Sequence, residues 1–159
     1  MADELPVITL KAIGIVRNEV KQLPRPIQGF REIVSDIVID SSLTEALDGL
    51  EEFSHIIVIF YFHKRVIDGE LPIKSHPVGK QEIPLVGLLA WRSANRPNPI
   101  GKTTVRLLQR QGNILRVVGL DAIDGTPVID IKPYIPGYDA VTDLKVPQWL
   151  TDSLVYPTG

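Results

Sequence analysis

Lys102-Thr103-Thr104-Val105-Arg106-Leu107-Leu108-Gln109-Arg110-Gln111-Gly112-Asn113-Ile114-Leu115-Arg116-Val117-Val118-Gly119-Leu120 is the stretch that decides the fold. From Lys102 to Arg110, residues that look outward alternate with residues that look inward, the two-residue period of a half-buried strand. Gln111-Gly112-Asn113 supplies the turn, and Ile114 to Leu120 pairs back, so the stretch is a β-hairpin. A second tight turn follows at Asp124-Gly125, where both residue types suit the geometry, and Pro127 to Ile131 resumes as a strand.

Working back toward the N-terminus, the same signals recur. Ile8 to Val16 and Ile33 to Ile39 are rich in β-branched residues and predict strands. His55 to Phe62 is apolar, β-branched and aromatic, and predicts a central strand. Leu85 to Ala90 predicts a short one. Lys21 to Phe30 holds Pro24, Pro26 and Gly29 and reads as a loop. Ser41 to Glu45 can cap a short helix that carries Ala46, Leu47 and Leu50. Lys64 to Ile83 reads as a polar connection. Trp91 to Gly101 is irregular because Pro97 and Pro99 lack amide protons and constrain their neighbours. The tail from Pro133 is rich in proline and glycine, with one helical turn near Trp149. Strands dominate and helices are short, so the expected fold class is mainly β, a single-sheeted β-barrel with one or two short helices. A Rossmann-type sheet needs a glycine-rich turn between an early strand and a helix, and here the first strand runs into a proline-rich loop.

Length and composition narrow the function classes. The chain has 159 residues, 44% hydrophobic and 23% charged, which is enough for one domain with a real core. One domain is therefore expected over residues 1–159, with its core at about 8–136 and a tail at 137–159. The apolar run from Ile56 to Phe62 is too short to cross a bilayer. Met1-Ala2-Asp3-Glu4 has neither the basic start nor the apolar stretch of a signal peptide, so a cytoplasmic protein without membrane contact is expected. With no cysteine, thiolate metal sites, iron–sulfur clusters and cysteine nucleophiles are excluded. His55, His63 and His76 match no zinc spacing, so no metal is expected.

Net charge is −2, but it is unevenly spread. Between Lys64 and Arg110 nine basic residues face three acidic ones, a local excess of +6 on an otherwise acidic chain. Such a distribution can hide a phosphate-binding face inside a near-neutral total, or simply solvate a surface.

Three segments could carry chemistry. Arg92-Ser93-Ala94-Asn95-Arg96-Pro97-Asn98-Pro99-Ile100-Gly101 is stiffened by its prolines, and its two arginines can each grip a carboxylate or phosphate. Gly119 to Pro127 offers Asp121 and Asp124 around a tight turn; Asp124 is either turn chemistry alone or a proton acceptor. Phe60-Tyr61-Phe62-His63-Lys64 ends a rigid strand in polar residues, where His63 is either structural or a base near neutral pH.

Together these runs resemble the TsaA-like (TrmO) family of tRNA N6-threonylcarbamoyladenosine methyltransferases. The matching pieces are Ile13 to Arg17, Gly49 to His55, Phe62-His63, Ala90 to Ser93, Arg96 to Gly101, Leu120-Asp121 and Asp124 to Tyr134. The likeness runs roughly from Ile13 to Pro136. It implies a β-barrel that binds S-adenosylmethionine without a Rossmann fold, acts as a homodimer, and methylates the exocyclic nitrogen of threonylcarbamoyladenosine beside the tRNA anticodon. It assigns Arg25, His63, Lys64, Arg92, Leu120, Asp121, Asp124, Gly125 and Thr126 to the cofactor. Arg92, Asn95, Arg96 and Lys80 fall to the tRNA substrate, with Asp124 or His63 as the proton acceptor. Longer bacterial members carry a further C-terminal domain, so this sequence is expected to be the short form. Trp91 and Asn95 stand where many members carry other residues. The competing expectations are a methyltransferase of the same fold with another small or nucleotide-like acceptor, and a non-catalytic S-adenosylmethionine-binding module.

Overall fold

The structure is a computed structural model that describes residues 3–22, 27–65 and 67–152. Six strands close into one antiparallel barrel: β1 (Gly14–Arg17), β2 (Val34–Ile39), β3 (His55–Tyr61), β6 (Ile100–Gln111), β7 (Ile114–Val118) and β8 (Pro127–Pro133). Around the barrel their order is β1-β2-β7-β6-β3-β8, and β8 returns to β1. Two more strands, β4 (Lys74–Ser75) and β5 (Val86–Gly87), make a separate small ladder. The mainly β barrel expected from the sequence is what forms.

Alternation builds the core. β6 turns Gly101, Val105 and Leu107 inward while Lys102, Thr104 and Arg106 face solvent. β3, paired on both sides, points Ile56, Val58 and Phe60 into the same core as Val16, Ile37, Leu115, Val117 and Val128. Register shifts at Leu107/Gln109 and at Ile59/Phe60 insert the irregularities that let a short sheet curve and close. The hairpin between β6 and β7 turns on Gly112 and Asn113 alone. Gly112 takes φ +59°, the left-handed region that a two-residue hairpin turn demands.

Closure also needs a close approach. Gly101 lies opposite Phe60 in the ladder, and a Cβ there would come within 2.6 Å of the Phe60 ring and 2.9 Å of Phe62. The two rings meet edge to face, centroids 5.4 Å apart.

Several sequence expectations are corrected. The first strand begins at Gly14, not Ile8; β2 ends at Ile39 and Asp40 then caps a 3-10 helix (Ser41–Leu47), which leaves residues 8–12 no strand to pair with, and they are exposed. Leu85 to Ala90 keeps only the two residues of β5 as strand and continues as a 3-10 turn (Leu88–Ala90). The polar connection holds β4 and a 3-10 turn at Pro77–Gly79. After the barrel come two short helices, α1 (Pro136–Asp139) and α2 (Gln148–Asp152), the second around Trp149 as expected.

Candidate active site

Register places the three chemically interesting segments together. β3 ends where β6 begins, because Tyr61 pairs with Ile100, and where β8 begins, because Phe60 pairs with Val128. The turn after β3, the loop before β6 and the crossing before β8 therefore share one rim of the barrel.

The crossing, residues 119–126, seals that rim. Leu120 and Ala122 are buried in the core, and the backbone is tied at Gly119 N to Ile33 O (3.0 Å), Asp124 N to Val20 O (2.8 Å) and Gly125 N to Val16 O (2.8 Å). Leu120 is 0% exposed, backbone included, so it supports the rim from beneath. Thr126 is 3% exposed, and its hydroxyl donates to Ile123 O at 2.7 Å, which holds the turn. Gly125 has φ +83°, and its missing side chain opens the backbone toward His63: a Cβ there would lie 3.7 Å from His63 Nε2.

His63 sits with Lys64 in a turn closed by Arg65 N donating to Phe62 O at 3.3 Å. Burial, then the Lys64 ammonium, lower its pKa below 6.5, so the ring is neutral at pH 7 and has one bare nitrogen.

Asp121 is a half-buried carboxylate of the rim. Desolvation raises its pKa, opposed by a hydrogen bond from the Thr103 hydroxyl and by the charge of Arg92. Arg92 also donates to Lys102 O at 3.4 Å. Asp124 has the opposite environment: the Lys21 ammonium at 2.8 Å, then Asn18 N at 3.2 Å, hold its carboxyl below the usual range.

The loop from Trp91 to Gly101 is fastened at several points. Phe62 N donates to Pro99 O at 2.9 Å, and Arg65 Nε donates to Asn95 Oδ1 at 3.1 Å. Asn95 N is held by Ser93 Oγ at 3.0 Å. Arg96 turns its guanidinium back onto Trp91 O at 2.7 Å, so it stiffens the loop. The rim thus brings together His63, Lys64, Arg92, Asn95, Arg96, Leu120, Asp121, Asp124, Gly125 and Thr126. Lys80 follows the 3-10 turn at Pro77–Gly79, and no hydrogen bond or ion pair among the described residues joins its side chain to this group. Arg25 lies outside the described residues. Thr103, Asn18, Lys21 and Arg65 carry contacts of the rim that no local sequence signal marks. Beside them, a cleft of about 390 Å³ opens between the ends of β1 and β2, lined by Arg17, Asn18, Ser35, Asp36 and Arg116 among others.

Fold and rim define a class: a small antiparallel β-barrel whose polar groups sit on three loops at one end, with no parallel sheet and no glycine-rich strand-to-helix turn among the described residues. Residues 16–140 match the tRNA-methyltransferase O N-terminal domain, and the chain belongs to that family. It is 38% identical over 147 residues to a probable S-adenosyl-L-methionine-binding protein of Pyrococcus abyssi, covering 91% of this chain and 77% of the relative. It is 43% identical over 106 residues to the mouse tRNA (adenine(37)-N6)-methyltransferase, covering 64% of this chain and 23% of that enzyme. The crystal structure of TrmO from Pseudomonas aeruginosa superposes with a TM-score of 0.71 at 33% identity, covering 89% of this chain and 62% of that one. The chain therefore spans under two thirds of the crystallised protein and about a quarter of the mouse enzyme.

Proposed function

We propose that this protein is an S-adenosylmethionine-dependent methyltransferase that methylates N6 of threonylcarbamoyladenosine beside the tRNA anticodon, as a cytoplasmic homodimer. The observation that carries the reading is the single rim on which a neutral His63 faces the backbone of Gly125, with a half-buried Asp121 that feels the charge of Arg92. Family membership and the tRNA (adenine(37)-N6)-methyltransferase relative in mouse support it.

The residues fit the cofactor. The glycine beside the imidazole leaves bare backbone for a nucleoside to hydrogen-bond, and Asp121 offers an anionic oxygen to a cation or ribose hydroxyl. Lys64, Arg92, Leu120, Asp124, Gly125, Thr126 and the loop around Arg25 complete the assigned set. S-adenosylmethionine supplies an electrophilic methyl on a sulfonium. The protein's part is to align donor and acceptor and to exclude water. His63, neutral and partly desolvated, accepts the proton of the acceptor nitrogen. Asp124, neutralised by Lys21, fixes the turn that carries Gly125. Arg92, Asn95 and Lys80 contact the tRNA, Arg96 holds the loop of Arg92 and Asn95 in shape, and the basic excess around them serves its phosphates. The exposed apolar side chains of Ile73, Leu85 and Leu89, on and beside the β4–β5 ladder, support a covered face in a homodimer.

A second reading, a non-catalytic S-adenosylmethionine-binding module, is favoured by the name of the Pyrococcus abyssi relative. Transfer of labelled methyl to two tRNA pools separates the two. One pool carries threonylcarbamoyladenosine and the other the same transcripts unmodified. Label confined to the modified pool and lost in Arg92→Ala and His63→Ala supports the enzyme. Saturable cofactor binding with no label in either pool leaves the binding module.

A further inference from the structure

Among the described residues, Arg65 Nη2 is the one buried side-chain nitrogen or oxygen without a hydrogen-bond partner. The guanidinium cannot shed its charge, and a charged donor shut away from water without an acceptor is costly to the fold. Among the described residues no acid is ion-paired with it, and its one side-chain hydrogen bond is from Nε to Asn95 Oδ1 at 3.1 Å. Nε and Nη2 form one edge of the guanidinium, the edge that receives a carboxylate through two parallel bonds. Here a neutral amide oxygen holds one half of that edge and the other half is vacant.

Position adds the second argument. Arg65 closes the turn that carries His63, and His63 Nε2 looks toward Gly125. Asn95, exposed and tethered through Ser93 Oγ, belongs to the loop on the other side. The charged fork is thus held at the junction of two of the three rim loops.

Resting on the methyltransferase reading, we propose that Arg65 receives a ligand carboxylate at this rim, and that Asn95 holds its fork until that carboxylate arrives. Both partners of the proposed reaction carry one: the methionyl carboxylate of the cofactor and the threonyl carboxylate of the acceptor nucleoside.

Calorimetric titration of the full chain with S-adenosylmethionine and with its decarboxylated form tests the first source. If Arg65 holds the methionyl carboxylate, Arg65→Gln weakens the intact cofactor about 10- to 100-fold, the worth of a charge-assisted hydrogen bond, and leaves the decarboxylated form unchanged. For the second source, the substrates are anticodon stem-loops carrying threonylcarbamoyladenosine or its threoninamide counterpart. Arg65→Gln then raises KM for the acid alone, with kcat and cofactor affinity preserved. Asn95→Asp, which puts a carboxylate of the protein's own into the fork, should weaken whichever carboxylate ligand Arg65→Gln weakens. The unliganded Arg65→Gln variant should melt no lower than wild type, because it sheds an unsatisfied buried charge. Equal losses with and without the carboxylate, or no loss in either titration and no rise in KM for either stem-loop, overturn the role of Arg65. Wild-type protein that binds neither form of the cofactor overturns the methyltransferase reading itself.

Discussion

Substituting Gly101 by alanine tests whether the barrel closes through the contact described above. The added methyl would lie 2.6 Å from Cε2 and Cζ of Phe60 and 2.9 Å from Cζ of Phe62. Phe62 is only partly buried and can swing away, but Phe60 is 1% exposed and enclosed by the core. Relief must come from an off-rotamer Phe60 or a shift of β6 against β3, and such overpacking costs about 1–3 kcal/mol. For a chain of this length that lowers the melting temperature by roughly 2–10 °C. Urea denaturation of wild type, Gly101→Ala, Phe60→Leu and the double variant gives the measurement. Phe60→Leu alone leaves a cavity, but in the Gly101→Ala background it removes the ring atoms that clash. The double variant should therefore be more stable than the sum of the single losses by about 1 kcal/mol or more. Strict additivity, or a Gly101→Ala protein indistinguishable from wild type, would refute the packing argument. Because Phe62 leads directly into His63, cofactor affinity should fall in Gly101→Ala and recover in the double variant.

Gly125→Ala should behave differently: its Cβ meets His63 Nε2 at an ordinary 3.7 Å, but φ +83° imposes a backbone cost. A loss of about 1–2 kcal/mol, read by denaturation, is expected, with weaker cofactor binding because the gap is filled. His63 makes stability depend on pH. Its folded pKa lies below 6.5, so on acidification the unfolded chain takes up its proton first and stability falls from about pH 6.5 down through the folded value; His63→Gln should flatten that part of the profile. Asp121 is raised by burial, so its charged form burdens the fold at pH 7. Asp121→Asn keeps an acceptor for Thr103 and should melt no lower than wild type at neutral pH while losing affinity for the cofactor; a lower melting temperature would contradict the assignment of burial as the dominant cause.

How far the fold was legible depended on the range of the signal. The β6–β7 hairpin was readable because alternation and a Gly-Asn turn are local, and β3 because an apolar β-branched run of that length is seldom anything else. Residues 8–12 look equally strand-like and are not in the ladder, since pairing depends on a partner that ends at Ile39. The two-residue strands β4 and β5 are too short to show a period. In the site, the family-like runs around His63, Arg92 and Asp124 could be picked out one by one. Nothing in them disclosed that Lys21 neutralises Asp124 across 103 residues of chain, that Thr103 bonds Asp121, or that Arg96 spends its guanidinium on its own loop. Arg65 entered the sequence reading only as one charge among nine.

The sequence by itself determined the mainly β class, the hairpin, the absence of thiol chemistry and the family resemblance, because each rests on residue type, spacing or order along the chain. Tertiary structure alone decided which strands are neighbours, that three distant loops meet on one rim, and the ionisation of each group there. Two aspartates three residues apart are pushed in opposite directions, Asp121 up by burial and Asp124 down by Lys21. Their sequence neighbourhood is nearly the same. Desolvation and charge proximity, which separate them, exist only once the barrel has closed.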